Sequence, residues 1–389
     1  MVMQPMQFQF ATAAQIIFGS GKLSGLADLA APLGKKALLI SGSGGAQPER
    51  ITRLLDDKKL SWIIFKVSGE PTIELILEGV QFAKTQGCDY VIAFGGGSVL
   101  DSGKAIAALL TNPGDLLDYL EIVGKNLPLI NRSAPMIAIP TTAGTGTEVT
   151  RNAVLAVTEK KVKVSLRSAF LLPTIALVDP ELTLSMPPAI TASSGMDALT
   201  QLIEPYVSQR ANPMTDLFAR EGIQCAGRSL QEAFLYGDRR AAREDMAWAS
   251  LLGGLCLANA GLGAVHGFAG PLGGMFDAPH GAVCARLLPV ACEMNVKALR
   301  KREPQNPAMQ RYLDVAHILT GDESATIEDG IEWLDTIRAE LQIPPLASYG
   351  ITTKDIPQIV EKSKNSSSMK GNPILLTEKE MSEILLQAL

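Results

Sequence analysis

Histidine is scarce in this chain: among 389 residues only His266, His280 and His317 occur. Any chemistry that needs imidazole must draw on those positions. Cysteine is hardly commoner. Cys88, Cys225, Cys256, Cys284 and Cys292 are odd in number and lack a CxxC spacing. That excludes a disulfide scaffold and a zinc ribbon, and reads as reduced thiols in a cytoplasmic protein. A basic surplus is also missing. The formal net charge of −5 argues against nucleic acid as the main partner, because nothing is left over to neutralise phosphates. The first residues, "MVMQPMQFQF", lack the basic and apolar regions of a signal peptide.

What the chain does have is interior. It is 47% hydrophobic and 19% charged, the composition of a soluble globular protein with little room for disorder. Its length makes two domains the default expectation. The run 246–276 carries no acidic or basic side chain and is long enough to cross a bilayer. Eight glycines, Pro271 and His266 interrupt it, so buried helices of a helical domain are expected there, with no membrane partner.

The two halves differ in texture. Up to about residue 182, strand-like runs at 36–41, 61–66, 90–95, 136–141 and 175–180 alternate with helical patterns at Ile73–Gln86 and Ser98–Leu110. Short apolar runs separated by helices predict βαβ units and a parallel sheet. Beyond "LTLSMPP" (182–188) the strand signals stop and helices take over. The expected fold class is therefore α/β plus all-α in two domains: 1–182 a Rossmann-like parallel-sheet domain, and 183–389 a helical domain.

Within the first half, "YVIAFGGGSVLDSGKAIA" (90–107) reads as a strand, a turn of Gly95, Gly96 and Gly97, and a helix opened by Ser98. Glycines let a phosphate approach the backbone, and the free N–H groups of the helix start favour an anion. Asp101 is placed to cap those N–H groups or to bond a ribose. A tight turn with no ligand explains this motif equally well. A second loop, "IPTTAGTGTEVT" (139–150), packs Thr141, Thr142, Thr145 and Thr147 around glycines after another strand. Two such loops at the carboxyl ends of one sheet favour a pyrophosphate-bearing cofactor, although neither is a GxGxxG or Walker A motif.

In the second half, "GMDALTQLIEPYVS" (195–208) places Asp197 and Gln201 four apart, on one face of a helix. The pair is either an ordinary polar contact or half of a metal site. His317 lies in "YLDVAHILT" and reads as a packed or surface histidine. His266 and His280 sit in a nearly charge-free segment. Each alone is more often a satisfied core histidine, but with Asp197 they make a set that suits Fe(II) with open positions or catalytic Zn(II).

At this point the motifs carry a resemblance. "GGGSVLDSGKAIA", "IPTTAGTGTEVT", "ALVDPELTLSMPP", "GMDALTQLIEPYVS", "AVHGFAGPLGGMFDAPHG" and the tail "GNPILLTEKEMSEILLQAL", in that order, resemble the iron-containing (group III) alcohol dehydrogenases over nearly the whole chain. The resemblance implies the dehydroquinate synthase-like two-domain architecture with a cleft between the domains. It also implies NAD(P)-dependent, metal-assisted hydride transfer between a small alcohol and an aldehyde or ketone. A homodimer paired through an N-terminal strand is implied as well, which the segment 6–19 can supply.

Carried over position by position, Gly96, Gly97, Ser98 and Asp101 match the pyrophosphate loop. Thr141, Thr142, Thr145 and Thr147 match the second cofactor loop, and Lys163 matches a lysine near the ribose. Asp197, His266 and His280 match three metal ligands, with His266 and His280 also the catalytic candidates. The fourth ligand, a histidine in the family, is Gln201 here. Gly270 stands where many relatives carry a proton-relaying histidine. The metal expected is Fe(II), with Zn(II) as the other candidate. Gly42 occupies the position where NAD-preferring relatives place a carboxylate, so NADP is accepted beside NAD, with Ser43 and Arg50 near a 2′-phosphate. Two further readings stay open: a metal-free carbonyl reductase of the maleylacetate reductase type, and a non-catalytic NAD(P)-binding relative. A lyase of the dehydroquinate synthase type needs a more basic pocket than the charge-free run 246–276 offers.

Overall fold

The structure is a computed structural model and describes residues 7–42, 47–160 and 162–389. Its strands are β1 (Gln15–Phe18), β2 (Lys36–Gly42), β3 (Ser61–Val67), β4 (Tyr90–Gly95), β5 (Met136–Pro140), β6 (Asn152–Val157), β7 (Val162–Arg167) and β8 (Ile175–Val178). Six of them form one sheet in the order β1-β8-β5-β4-β2-β3, and every pairing is parallel. The central strands "YVIAFG" and "MIAIP" are buried at every position. A parallel sheet covered on both faces needs such unbroken apolar runs.

Chain order reverses between β2 and β4, which pair Ser41 with Phe94 near their carboxyl ends. The crevice at such a switch point is where open α/β sheets take ligands. One face of the sheet packs on Ile76, Ile106 and Leu120; the other packs on Leu26, Ile51 and Leu55.

Within the segment 6–19, β1 pairs with β8 on one side and forms the outer strand of the sheet, and Met6 lies outside the described residues. The antiparallel hairpin β6–β7 had no counterpart in the sequence reading, although "NAVLAV" alternates half-buried and buried along its length. The helix after the glycine turn starts at Gly97 rather than Ser98.

From Pro188 onward, the described residues form helices and turns only. The helices Pro188–Val207, Pro213–Leu235, Arg240–Ala260, Ala264–Phe276 and His280–Arg302 surround one apolar core. The charge-free run is divided between two of them, Arg240–Ala260 and Ala264–Phe276, which meet at 98°. No single helix among the described residues is long and apolar enough to cross a membrane.

A backbone contact seats the sheet domain on the helices. Gly146 has φ 56°, and a Cβ there would lie 2.4 Å from the Gly254 Cα. A Cβ on Gly254 would lie 2.3 Å from the Gly146 carbonyl oxygen. Only glycine at both positions allows this approach, and it sets the threonine loop directly against the Arg240–Ala260 helix.

Candidate functional site

A cavity of about 480 Å³ runs between the two domains. On the sheet side its wall includes Gly97, Ser98, Asp101, Thr145, Thr147 and Lys163, and on the helical side Asp197, Gln201, His266 and His280. Gly42, Gly96, Thr141 and Thr142 are not part of that wall. Gly96 and Thr141 nevertheless belong to adjoining loops, since the Thr141 N–H donates to the Gly95 carbonyl at 3.0 Å. Gly42 ends β2, Arg50 is exposed on the helix Glu49–Asp57, and Ser43 lies outside the described residues.

The helix Gly97–Thr111 begins at the extended residue Gly96, and no side chain of that residue caps it. Its first N–H groups thus face the cavity end of β4. Asp101 does not cap them. Its Oδ2 accepts from the Val154 N–H at 3.0 Å, tying the helix to the β6–β7 hairpin, while its buried Oδ1 has no partner. One turn on, Lys104 donates to Thr150 Oγ1 at 2.7 Å and to the Asn152 carbonyl at 3.0 Å. Burial raises Asp101 to about 6 against the pull of Lys104, and lowers Lys104 to about 8. Glu148 is raised to about 7 by the same cause. Lys163, on β7, is paired with Glu70 at 2.9 Å.

On the helical side, the buried Pro188–Val207 helix carries Asp197 and Gln201 on one face. Gln201 Nε2 donates to Asp197 Oδ2 at 3.0 Å. Asp197 Oδ1 and Gln201 Oε1 are buried without partners. The imidazoles arrive from the first turns of two other helices, His266 from Ala264–Phe276 and His280 from His280–Arg302. Their Nε2 atoms lie 3.4 Å and 3.7 Å from Asp197 Oδ1.

Glu204 and Cys284 join this cluster, and the sequence reading assigned neither. Glu204 follows Asp197 by seven residues and Gln201 by three, so all share a helix face. Its Oε2 bonds His266 Nδ1 at 2.7 Å and its Oε1 accepts from the Val265 N–H at 2.7 Å. Asn372, from the "GNP" tail, accepts from the Ala264 N–H at 3.1 Å. These two side chains satisfy the start of the Ala264–Phe276 helix, and Glu204 also fixes His266 with Nε2 toward Asp197. Cys284 follows His280 by four residues, and its Sγ lies 3.7 Å from His280 Nε2 and 3.8 Å from His266 Nε2. His317, by contrast, bonds only the Ala325 carbonyl, at 3.1 Å, on a helix elsewhere.

The electrostatics of the cluster fit a cation. Burial alone would raise Asp197, yet His280, His266 and Cys284 hold it below the usual carboxylate range, so it is an anion at neutral pH. Burial opposes charge on His266, but Cys284, Asp197 and Glu204 hold it well above an ordinary imidazole. Without another cation the cluster keeps a proton on that ring. Burial pushes the Cys284 thiol up to about 12. Ligand atoms of Asp197, His266, His280 and Cys284 all lie within 4.8 Å of one another. An unpartnered carboxylate oxygen facing two imidazoles in a buried pocket is a competent donor set for a divalent metal.

Comparison with known proteins agrees over both domains. The family described as iron-containing alcohol dehydrogenase matches residues 13–180, and its C-terminal counterpart matches residues 191–389. A 1,3-propanediol dehydrogenase of Citrobacter freundii is 36% identical over 91% of this chain and 92% of its own length. A lactaldehyde reductase of Escherichia coli (strain K12) is 32% identical over 94% of this chain and 96% of its own. Among solved structures, an alcohol dehydrogenase from Oenococcus oeni superposes with a TM-score of 0.90 at 31% identity, covering 98% of this chain and 100% of that one.

Proposed function

The chain belongs to the iron-containing alcohol dehydrogenase family, and from that premise we propose how its residues divide the work. It is an NAD(P)-dependent oxidoreductase that interconverts an alcohol and an aldehyde or ketone. The observation that carries the assignment of roles is the single cavity. It joins the glycine and threonine loops of the sheet domain to the Asp197–His266–His280 cluster of the helical domain.

On the sheet side, the free N–H groups at Gly97 and Ser98 and the positive end of their helix hold the cofactor's pyrophosphate, with Gly96 allowing close approach. Thr141, Thr142, Thr145 and Thr147 line the facing loop with hydroxyls. Asp101 Oδ1, buried without a partner, accepts a hydrogen bond from the nicotinamide half, and Lys163 sits by the ribose. Gly42, at the switch point, leaves room for a 2′-phosphate, so NADP is accepted beside NAD. The nicotinamide supplies or receives the hydride.

On the helical side, Asp197, His266 and His280 hold a divalent metal, with Gln201 against Asp197. When bound, that metal serves as a Lewis acid toward the substrate oxygen. Glu204 holds His266 through Nδ1, so that Nε2 faces the site and gives up its proton when the metal binds. Leu257 and Leu262 give the cavity apolar wall, suited to a small substrate. A Cβ at Gly270 would meet nothing within 4 Å, so the chain places no side chain there to take the hydroxyl proton. That proton passes instead to water, to the cofactor's ribose hydroxyl or to His280. A homodimer is part of the same reading, supported by β1 as a sheet edge, and a cytoplasmic location is supported by five free, buried thiols.

The test is elemental analysis of anaerobically purified protein, with NADH and NADPH oxidation measured on an aldehyde panel before and after chelation. Aldehyde-dependent turnover that falls with chelation and returns with metal is expected. Full activity without metal would overturn the role given to Asp197 and the two histidines. A strict preference for NADH would overturn the reading of Gly42.

A further inference from the structure

We propose that the fourth metal ligand of this chain is the Cys284 thiolate, and that Gln201 orients Asp197 instead of completing the set. The inference rests on the metal-bearing reading above and adds a ligand of different chemical class. It starts from spacing: the half-buried His280 and the buried Cys284 lie one turn apart on one helix face, so both reach the same point beside Asp197.

The distances carry it further. Metal bonds of about 2.0–2.2 Å to nitrogen and oxygen and about 2.3 Å to sulfur set the edges of a tetrahedron. Those edges are about 3.4 Å between nitrogen and oxygen and about 3.6 Å between nitrogen and sulfur. The pairs here are 3.4 Å (His266 Nε2 to Asp197 Oδ1), 3.7 Å (His280 Nε2 to Asp197 Oδ1), 3.8 Å (Cys284 Sγ to His266 Nε2) and 3.7 Å (Cys284 Sγ to His280 Nε2). The nitrogen–oxygen pairs are too long for strong hydrogen bonds, the sulfur–nitrogen pairs are at hydrogen-bond length for sulfur, and all four are close to the edges of a four-ligand shell. Gln201 is engaged differently. It donates to the other carboxylate oxygen, Oδ2, at 3.0 Å, which leaves Oδ1 directed at the shell. Its amide oxygen is neutral and a weaker ligand than a thiolate.

The chemistry is a ligand exchange without oxidation. As the hydrated ion binds, the Cys284 S–H bond breaks, its proton passes to solvent, and the sulfur takes the place of a metal-bound water, which leaves. A thiolate in the set moves the site's preference from Fe(II) toward Zn(II), because soft sulfur suits the softer ion.

The experiment uses the full-length protein loaded with one equivalent of Zn(II) or Co(II). Zinc K-edge EXAFS of the wild type is expected to show a sulfur shell at about 2.3 Å. The Co(II) form is expected to show a thiolate-to-cobalt charge-transfer band. Cys284→Ser should remove both signals and weaken metal binding about tenfold or more, whereas Gln201→Leu should keep both. A shell of nitrogen and oxygen only, or signals unchanged in Cys284→Ser, would overturn the assignment, and the wild-type spectrum decides this even if the variant misfolds. Failure of each reading is separable. A sulfur shell without turnover on any alcohol or aldehyde would refute the function and leave the ligand set. Turnover in a protein that binds no metal would refute the ligand set and leave the function.

Discussion

Two buried ionisable clusters flank the interdomain cavity, and they are built on opposite plans. Asp101, Lys104 and Glu148 contain charges of both signs. Lys104 neutralises its carboxylates and donates to Thr150 and the Asn152 carbonyl, pinning the β6–β7 hairpin to the helix Gly97–Thr111. Asp197, Glu204, His266, His280 and Cys284 include no lysine or arginine; their own positive charge is a proton on His266, and the nearby Lys163 is paired with Glu70. Burying carboxylates without a resident cation is costly. A cluster that carries its own counter-charge can serve as architecture. One with a surplus of donor atoms and no lysine or arginine of its own is completed by something it binds. Each cluster leaves one carboxylate oxygen unpartnered, Asp101 Oδ1 and Asp197 Oδ1, but only the first has a lysine beside it.

The sharpest break in that contrast is to remove the anion from the second cluster. Asp197→Asn keeps the shape and deletes the charge facing both imidazoles. It should abolish stoichiometric metal binding and lower kcat/KM about a thousandfold, the equivalent of several kcal/mol of Lewis-acid stabilisation. Metal analysis and steady-state kinetics on the same preparation check it. If metal and rate survive, the cluster is as self-contained as the first.

Glu204 tests whether the cluster depends on its supporting partner. Glu204→Gln removes the carboxylate that orients His266 through Nδ1 and also meets the Val265 N–H. Metal affinity or activity should fall about 10- to 100-fold, measured by competition against a chromophoric chelator. A loss of stability without a loss of affinity would assign Glu204 to helix capping alone.

How much of this was legible in the sequence follows from the range of each interaction. The central strands were readable because "YVIAFG" and "MIAIP" are apolar throughout, a pattern local to each run. Asp197 with Gln201 was readable because spacing of four fixes a helix face, and Gln201 Nε2 donates to Asp197 Oδ2 as that face requires. Glu204 and Cys284 obey the same rule, but spacing alone does not separate a single carboxylate or thiol at a site from one that merely packs or caps a helix. Of the two roles open to Asp101, cap or ribose partner, the structure does not show the cap. The partner of that carboxylate, the Val154 N–H, is 53 residues away on a hairpin whose alternation in "NAVLAV" went unused. The Gly146–Gly254 contact had no sequence signal of any kind, since it joins two domains through backbone atoms.

That contact offers a milder test, because it sets the distance between the two clusters. Gly254→Ala would put a methyl 2.3 Å from the Gly146 carbonyl oxygen, and neither backbone can yield without shifting the threonine loop. Overpacking of this kind costs about 1–3 kcal/mol. The expected outcome is a lower melting temperature together with a raised KM for NAD(P)H, while metal content stays at one per chain. A raised KM for the aldehyde alone would show that the loop does not position the cofactor.

The smallest effect comes from the self-contained cluster and is read through pH. Burial raises Glu148 from 4.5 to about 7. Between those values the folded chain holds a proton that the unfolded chain has released, so stability present below the unfolded value is lost as pH rises through the folded one. Glu148→Gln removes this dependence. In the cofactor-free protein, the variant should match the wild type near pH 5 and exceed it increasingly up to pH 7.5. The gain is about 1–2 kcal/mol, the attraction to Lys104 already offsetting part of the burial cost of the carboxylate. Asp101, raised to about 6, contributes with the same sign to both proteins and cancels in the comparison. Lys104, lowered to about 8, acts in the opposite sense, and only above that pH. Paired thermal melts from pH 5 to 7.5 give the answer. A constant difference across that range would mean that Glu148 is ionised throughout and held by Lys104, which would make the first cluster a true ion pair.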